Sequence, residues 1–153
     1  MDYTCLSIYN VHSKCNITLN ILGDKEADCK HRGFTSVPIN LPPDLKKLDL
    51  SYNRLTRLGD NSFQKYKYLE HLILDNNVIN FLDAKALTGL RRLSMVRNQL
   101  NVSTSYLPGM FEFSQNLSAL DVSRNMKTSV HSDRYNIPLV NSVTYVSCLL
   151  ILC

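Results

Sequence analysis

The sequence predicts an α/β solenoid, in which short parallel strands form a concave sheet and irregular or short helical segments return along the convex side. The first observation is a period. Four stretches follow the pattern LxxLxLxxN, and their closing asparagines recur after 24, 21 and 27 residues at Asn53, Asn77, Asn98 and Asn125. The second observation is the alternation within each LxL, which is typical of a strand with one buried face. One such stretch would be an ordinary amphipathic segment, whereas four at a common period indicate a repeat.

Each part of the pattern has a physical role. The leucines of LxL, or Met95 and Val122 in their place, point into a common core, and the residues between them point out onto the sheet. The chain then turns away from the strand, which leaves backbone groups in the interior without ladder partners. A buried asparagine can donate and accept hydrogen bonds there, so we expect the four asparagines to form a structural ladder from coil to coil.

Two further patterns extend the array. Phe63, Leu87 and Phe111 recur between the strands, and we expect them to fill the convex side of the core. A fifth repeat is expected near the C-terminus, with Tyr145 in its strand and Cys148 in the asparagine place. The apolar tail at 143–153 is shorter than the roughly 20 residues that a membrane-spanning helix needs, which favours this last, incomplete repeat over an anchor.

The region before the first repeat predicts a cap. Ile17, Leu19 and Ile21 alternate with polar residues before a Gly-Asp turn, and the chain returns through Cys29, which indicates a β-hairpin. A disulfide between Cys15 and Cys29 would join the two arms in a secreted protein, whereas a cytosolic protein would keep two thiols. We therefore divide the chain into a flanking region and cysteine cap at 1–43 and about five leucine-rich repeats at 44–153.

The stretch CKHRGFTSVPINLPPDLKKLDLSYNRL at 29–55 resembles the N-terminal cap and first repeat of extracellular leucine-rich repeat proteins. Together with the phenylalanine-bearing repeats, it is most similar to Toll-like receptor ectodomains, over about residues 15–150. The resemblance implies the ligand-recognition segment of an innate immune receptor, which binds a microbial or danger-associated ligand or a protein partner without catalysis. A receptor homodimer or heterodimer is a further implied partner. The cap is shared with matrix proteoglycans and axon-guidance proteins, so a secreted or matrix binding protein, a truncated decoy and an intracellular repeat scaffold are the alternatives.

Composition and motifs exclude other function classes. The net charge of +4 is modest, so nucleic acid as a partner is possible but unsupported. No metal-site spacing such as CxxC occurs, and GxSxG, P-loop and HExxH motifs are absent. We therefore expect no enzyme, no cofactor and no metal.

Three N-glycosylation sequons, at Asn16, Asn101 and Asn116, favour an extracellular or endosomal-lumenal location. The first residues have neither the basic start nor the apolar run of a signal peptide, and no membrane span is expected in this chain. We expect the chain to belong to a longer reading frame. A short intracellular isoform, in which glycans and disulfide do not form, is the alternative.

A ligand-binding surface is predicted on the concave face, where outward side chains of successive coils lie side by side. Lys47, His71 and Arg92 form one basic column, and Arg97 and Arg124 form part of another, with Tyr52 in the same turn position. An anionic ligand would fit these columns, and protonation of His71 at acidic pH would strengthen them. The alternative is a solvated face, because acidic residues mix the signs of charge at Asp49, Asp75 and Asp121.

Overall fold

The computed structural model describes residues 15–100 and 113–125, together with the backbone of residues 145 and 146. A seven-stranded sheet forms the concave side. A two-stranded sheet is formed by segments that follow the first two asparagine turns. The seven strands, in their spatial order, are β1 (Asn16–Leu19), β2 (Lys25–Asp28), β3 (Leu45–Asp49), β5 (His71–Ile73), β7 (Arg92–Ser94), β8 (Ala119–Asp121) and β9 (Tyr145–Val146). The small sheet pairs β4 (Arg57–Leu58) with β6 (Phe81–Leu82).

The order of the strands follows the order of the chain, which is the topology of a solenoid. β1 and β2 form an antiparallel hairpin, and every later neighbour pair in the large sheet is parallel. Equivalent leucines are in register from coil to coil, so Leu48, Leu72, Leu93 and Leu120 stand in one row. The fold is the leucine-rich repeat solenoid with a parallel concave sheet and a hairpin cap that the sequence predicts.

The core lies between the sheet and the returning segments. Both apolar positions of each LxL are at most 9% exposed, and Leu48, Leu50, Leu74 and Met95 are fully buried. The predicted convex residues Phe63 and Leu87 are buried as well. Leu87 closes a 3₁₀ helix, Ala84–Leu87, whose first turn is capped by Asp83. Phe111 and Cys148 lie outside the described residues.

The asparagines make the same bonds in each turn. The Asn77 side-chain amide donates to the carbonyls of Leu74, in its own coil, and Leu50, in the preceding one, both at 3.0 Å. Its Oδ1 accepts from the backbone N–H of Leu55, also in the preceding coil, at 3.0 Å. Asn98 and Asn125 repeat this arrangement one and two coils later. One side chain therefore satisfies three interior backbone groups, two of them in the preceding coil.

The cap continues the stacking with different chemistry. Cys29 donates its backbone N–H to Asp49, as Leu50 does to Ile73 one coil later, so Cys29 occupies a buried leucine position. A disulfide joins it to Cys15, at the start of β1. β1 itself is exposed along its length, and Leu19 is 65% exposed. The disulfide ties this exposed hairpin to the interior of the first coil.

Candidate binding surface

The predicted column of Lys47, His71 and Arg92 lies in one row of the concave sheet. β3, β5 and β7 pair in parallel with these residues directly opposite one another, and Ala119 of β8 continues the row. Neighbouring strands are about 4.8 Å apart, so the three side chains form a continuous strip. The strip begins in the cap, where Glu26 is the partner of Lys47 in the register.

Glu26 changes the electrostatics of this row. Its carboxylate lies 3.1 Å from Lys47 Nζ, and it therefore offsets one of the predicted positive charges. Burial lowers the pKa of His71, and the positive charges of Arg92 and Lys47 lower it further. The sequence analysis predicts that protonation of His71 strengthens the binding of an anionic ligand. Because the pKa of His71 is lowered, this protonation requires a pH below the range in which histidine ordinarily titrates. Arg92 is exposed and takes part in none of the ion pairs of the described residues.

The acidic residues of the face are held by the scaffold. Asp49 accepts hydrogen bonds from the N–H and the hydroxyl of Ser51, and Lys30 Nζ lies 3.6 Å from its other oxygen. Asp75 accepts from the hydroxyl of Ser94 at 2.6 Å and from the backbone N–H of Val96 at 2.9 Å. These carboxylates bind neighbouring donors, so their charges are partly offset where they stand.

A second column runs along the end of the strands. Equivalent places in successive coils are occupied by His31, Tyr52, Asn76, Arg97 and Arg124. The backbone N–H groups of the first four donate to the next coil, as His31 does to the carbonyl of Ser51 and Tyr52 to the carbonyl of Asp75. All five have positive φ, between 53° and 58°. This left-handed conformation is uncommon for residues other than glycine, asparagine and aspartate, and it turns the chain out of the strand towards the ladder asparagine. The predicted Tyr52, Arg97 and Arg124 therefore belong to one structural column.

His31 and Tyr52 form an aromatic pair in this column. Their ring centroids are 4.3 Å apart and the ring planes meet at 17°, which is a stacked arrangement. The sequence analysis singled out Tyr52 but not His31 or Glu26. The cap lacks the LxL pattern, so its register against the first repeat could not be read from the spacing. No repeat motif in the sequence singles out His31.

Two of the three predicted glycosylation sites lie among the described residues. Asn16 is exposed in β1, and Asn116 is exposed in the turn before β8. Asn101 lies outside the described residues. Within residues 15–100 and 113–125, no group of three or more histidine, cysteine or acidic side chains is arranged to hold a metal ion. No helix in that part of the chain is long and apolar enough to cross a membrane.

Residues 43–100 match the sequence profile of the leucine rich repeat family. The match covers the first three coils, which are the ones joined by the best-buried asparagines. These residues are leucine-rich repeats. The repeats define a scaffold, and a binding surface has to be sought among the side chains that its coils present.

Several receptors and related proteins are similar to part of the chain. The chain is 39% identical over 81 residues, half of its length, to the leucine-rich repeat transmembrane protein FLRT2 of Rattus norvegicus. It is 36% identical over 63 residues, 41% of its length, to the leucine-rich repeat-containing G-protein coupled receptor 4 of Bos taurus. It is 36% identical over 89 residues, 58% of its length, to nephrocan of Mus musculus. The aligned segments span 12%, 7% and 17% of these relatives, so the chain covers only a small part of their length.

Proposed function

We propose that this chain is the ligand-recognition segment of a Toll-like innate immune receptor, located outside the cell or in the endosomal lumen. It binds a microbial or danger-associated ligand non-covalently. The observation that carries the proposal is the row of Lys47, His71 and Arg92, which parallel pairing places side by side on the open sheet. Tyr52, Arg97 and Arg124 border the row at the end of the strands.

Several features support an extracellular receptor. The disulfide of the cap is a bond that persists in oxidising compartments. Asn16 and Asn116 are exposed sequons, and glycans there would leave the concave row accessible. The names of two relatives describe a transmembrane protein and a G-protein coupled receptor, so repeats of this kind occur in membrane receptors. The assignment to Toll-like receptors within that group rests on the resemblance of the cap and the first repeat.

The row favours an anionic ligand. Arg92 is exposed, and its guanidinium can bind a carboxylate or phosphate with two parallel hydrogen bonds. Lys47 is half-buried and already contacts Glu26, so a ligand must compete with that carboxylate or leave it in place. His71 between them adds a hydrogen-bonding ring at neutral pH and a further charge in strongly acidic surroundings. We therefore expect Arg92 to contribute most to affinity.

Binding measurements on the secreted, disulfide-bonded chain test the proposal. Immobilised chain is exposed to lipopolysaccharide, a peptidoglycan fragment and double-stranded RNA as anionic microbial probes. We expect at least one probe to bind, and the double variant Lys47→Glu/Arg92→Glu to weaken it by at least tenfold. The charge-matched control is Lys67→Glu/Lys85→Glu, at exposed positions away from the row. Absence of binding, or equal binding by both double variants, would exclude the concave row as the ligand site.

The complete transcript tests the receptor class. A single membrane span and a cytoplasmic signalling domain downstream are the features that the Toll-like resemblance implies. A C-terminal cysteine cap followed by a stop codon would instead identify a secreted or matrix binding protein. A product with reduced cysteines and bare sequons would identify an intracellular scaffold.

A further inference from the structure

We infer that the flank of the solenoid at the ends of the strands is a contact surface for an acidic protein partner. This strand-exit flank comprises residues 31–35, 52–57, 76–81, 97–100 and 124–125, which follow successive strands. It adjoins the concave row but does not include Lys47, His71 or Arg92. It shares Tyr52, Arg97 and Arg124 with the border of the proposed ligand site, so separate variants at Arg54 and Arg97 and at Lys47 and Arg92 are needed to distinguish the two surfaces.

The charge of this flank is of one sign. Its residues include five arginines and no lysine, aspartate or glutamate; the arginines are Arg32, Arg54, Arg57, Arg97 and Arg124. All five are exposed, and the ion pairs of the described residues involve none of them. An acidic surface can therefore approach without displacing carboxylates already paired to these arginines.

The opposite flank, where the strands begin, has a different arrangement. Lys25 pairs with Asp44 at 2.7 Å, and Glu70 lies 2.5 Å from Lys46 and 3.5 Å from Arg91. The hydrogen bond from Lys46 lowers the pKa of Glu70, which keeps that carboxylate charged and paired. The two sides of the same coils thus differ in character. The strand-entry side pairs its charges, and on the strand-exit side Lys30 pairs with Asp28 and Asp49, whereas the five arginines of the flank take part in none of the ion pairs of the described residues.

The strand-exit flank has an aromatic pair near the cap and an apolar residue in its middle coil. Tyr52 is 47% exposed and stacks on His31, and Val78 of the next coil is 37% exposed. Arg54 and Arg97 lie on the coils to either side of Val78. Arginine and aromatic residues are enriched in protein interfaces, where lysine and acidic residues are depleted, and an apolar centre with a polar rim is their usual layout. The composition of this flank matches that layout.

The same middle region argues against an extended polyanion as the partner. The second coil contributes Asn76, Val78 and Asn80 to the flank, and all three are uncharged. The arginines of the first coil are therefore not joined to Arg97 of the third coil by a continuous cationic track. A nucleic acid or sulfated glycan carries charge at every repeat and gains most from an unbroken track. A protein surface with acidic residues around an apolar residue fits the observed pattern.

The backbone presents these side chains in fixed positions. The left-handed column places Tyr52 and Arg97 beside the ladder asparagines Asn53 and Asn98, whose amides bond to two coils at once. Arg57 lies over the ring of Phe81, with its guanidinium carbon 4.1 Å from the ring centre. Little ordering of the chain is then required when a partner binds, which favours affinity.

A phage-displayed library of random 16-residue peptides, selected against the secreted full chain, is the probe that tests this surface. We expect selected peptides to carry a net negative charge and an aromatic or aliphatic residue. Affinity for the synthetic peptides should fall at least tenfold in Arg54→Glu/Arg97→Glu and clearly in Arg54→Gln/Arg97→Gln. It should change less than twofold in the control Lys67→Glu/Lys85→Glu and in the concave variant Lys47→Glu/Arg92→Glu. Circular dichroism establishes that each variant is folded.

Three results would overturn the inference. Selection of neutral or basic peptides would show that charge does not direct binding to this surface. Acidic peptides whose affinity depends on Lys47 and Arg92 would place the contact on the concave row, which would support the proposed ligand site and remove this one. A heparin dodecasaccharide that displaces the peptides, with the same dependence on Arg54 and Arg97, would identify the flank as a polyanion site.

Discussion

The cap coil and the repeat coils are fixed to their neighbours by different residues. In the repeats, an asparagine such as Asn77 bonds to the interior backbone of its own coil and of the preceding one. In the cap, Arg32 stands in the equivalent place, and its backbone N–H is bonded by Asn53 of the first repeat. The cap coil is itself secured by the Cys15–Cys29 disulfide. A ladder asparagine is thus needed where a parallel coil precedes, and a covalent tie replaces it beside the antiparallel hairpin.

The largest effect is expected from breaking the ladder within the repeats. Asn77→Ala leaves the buried N–H of Leu55 without its acceptor, at a typical cost of about 1–3 kcal/mol. It also removes one hydrogen bond each from the carbonyls of Leu50 and Leu74, which still accept from Asn53 and Asn98, at about 1 kcal/mol for each lost bond. We expect the free energy of unfolding to fall by about 4 kcal/mol in urea denaturation. Asn125→Ala is the matched control, because Asn125 makes the same bonds but is itself only half-buried. Equal losses in the two variants would contradict the role assigned to burial.

Removal of the covalent tie should have the next largest effect. Cys15→Ala opens the disulfide and leaves Cys29 as a buried thiol, and a loop of this length contributes about 3 kcal/mol. Hydrogen exchange should increase in β2 and much less in β5 and β7, because each coil depends mainly on its neighbours. Reduction of the unmutated chain should reproduce the change. A uniform rise in exchange across all strands would show that the cap supports the whole solenoid.

The cap and the repeats both have a residue with positive φ after the strand, so glycine substitutions there compare the stability of the cap with that of the repeats. His31 and Arg97 both have positive φ, which costs a residue with a side chain about 1–2 kcal/mol relative to glycine. We expect His31→Gly and Arg97→Gly to leave the free energy of unfolding unchanged or to raise it by up to about 1 kcal/mol. Gln99→Gly, at a position without positive φ, should lower it by about 0.5–1 kcal/mol. Losses at His31 or Arg97 as large as at Gln99 would show that their side chains stabilise the fold.

The smallest expected effect is the change in the free energy of unfolding with pH, which depends on His71 of the repeats and Glu26 of the cap. The folded-state pKa of His71 lies below its ordinary value, so the unfolded chain binds the proton first as pH falls through about 6.5. Stability should therefore decrease from pH 7 towards the folded-state pKa and then level off. Glu26 partly opposes this lowering, so Glu26→Gln should make the decrease larger, and His71→Gln should abolish it. A slope unchanged in His71→Gln would assign the pH dependence to other groups.

The sequence was sufficient to predict the parts of the fold that repeat. The spacing of Leu48, Leu50 and Asn53, seen again in three later stretches, fixes strand, core and turn together, because one register satisfies them all. The hairpin cap was predictable from alternation and from the position of Cys29. The two-stranded sheet of β4 and β6 was not predicted, since two-residue strands leave no periodicity to detect.

The candidate site was only partly predictable. The row of Lys47, His71 and Arg92 follows from the repeat register, which a sequence aligned on its asparagines already contains. The ion pair between Lys47 and Glu26 does not, because the cap pairs with β3 through a register shift between Lys25 and Glu26. Nor does the lowered pKa of His71, which depends on burial as well as on neighbouring charge. The repeat period shows which residues of successive strands are neighbours. The ion pairs and pKa values of those residues depend on where their side chains lie, which the period does not show.

The ladder gives the solenoid a direction. Within the described residues, each ladder asparagine bonds to its own coil and to the preceding one, as Asn77 does to Leu50 and Leu55, and not to the coil that follows. An N-terminal cap therefore has to offer only backbone groups, such as the carbonyl of Cys29 and the N–H groups of Arg32 and Phe34. A unit added at the other end must supply an amide side chain of its own. The two ends of such a stack are consequently not interchangeable, and new coils can be joined in only one orientation.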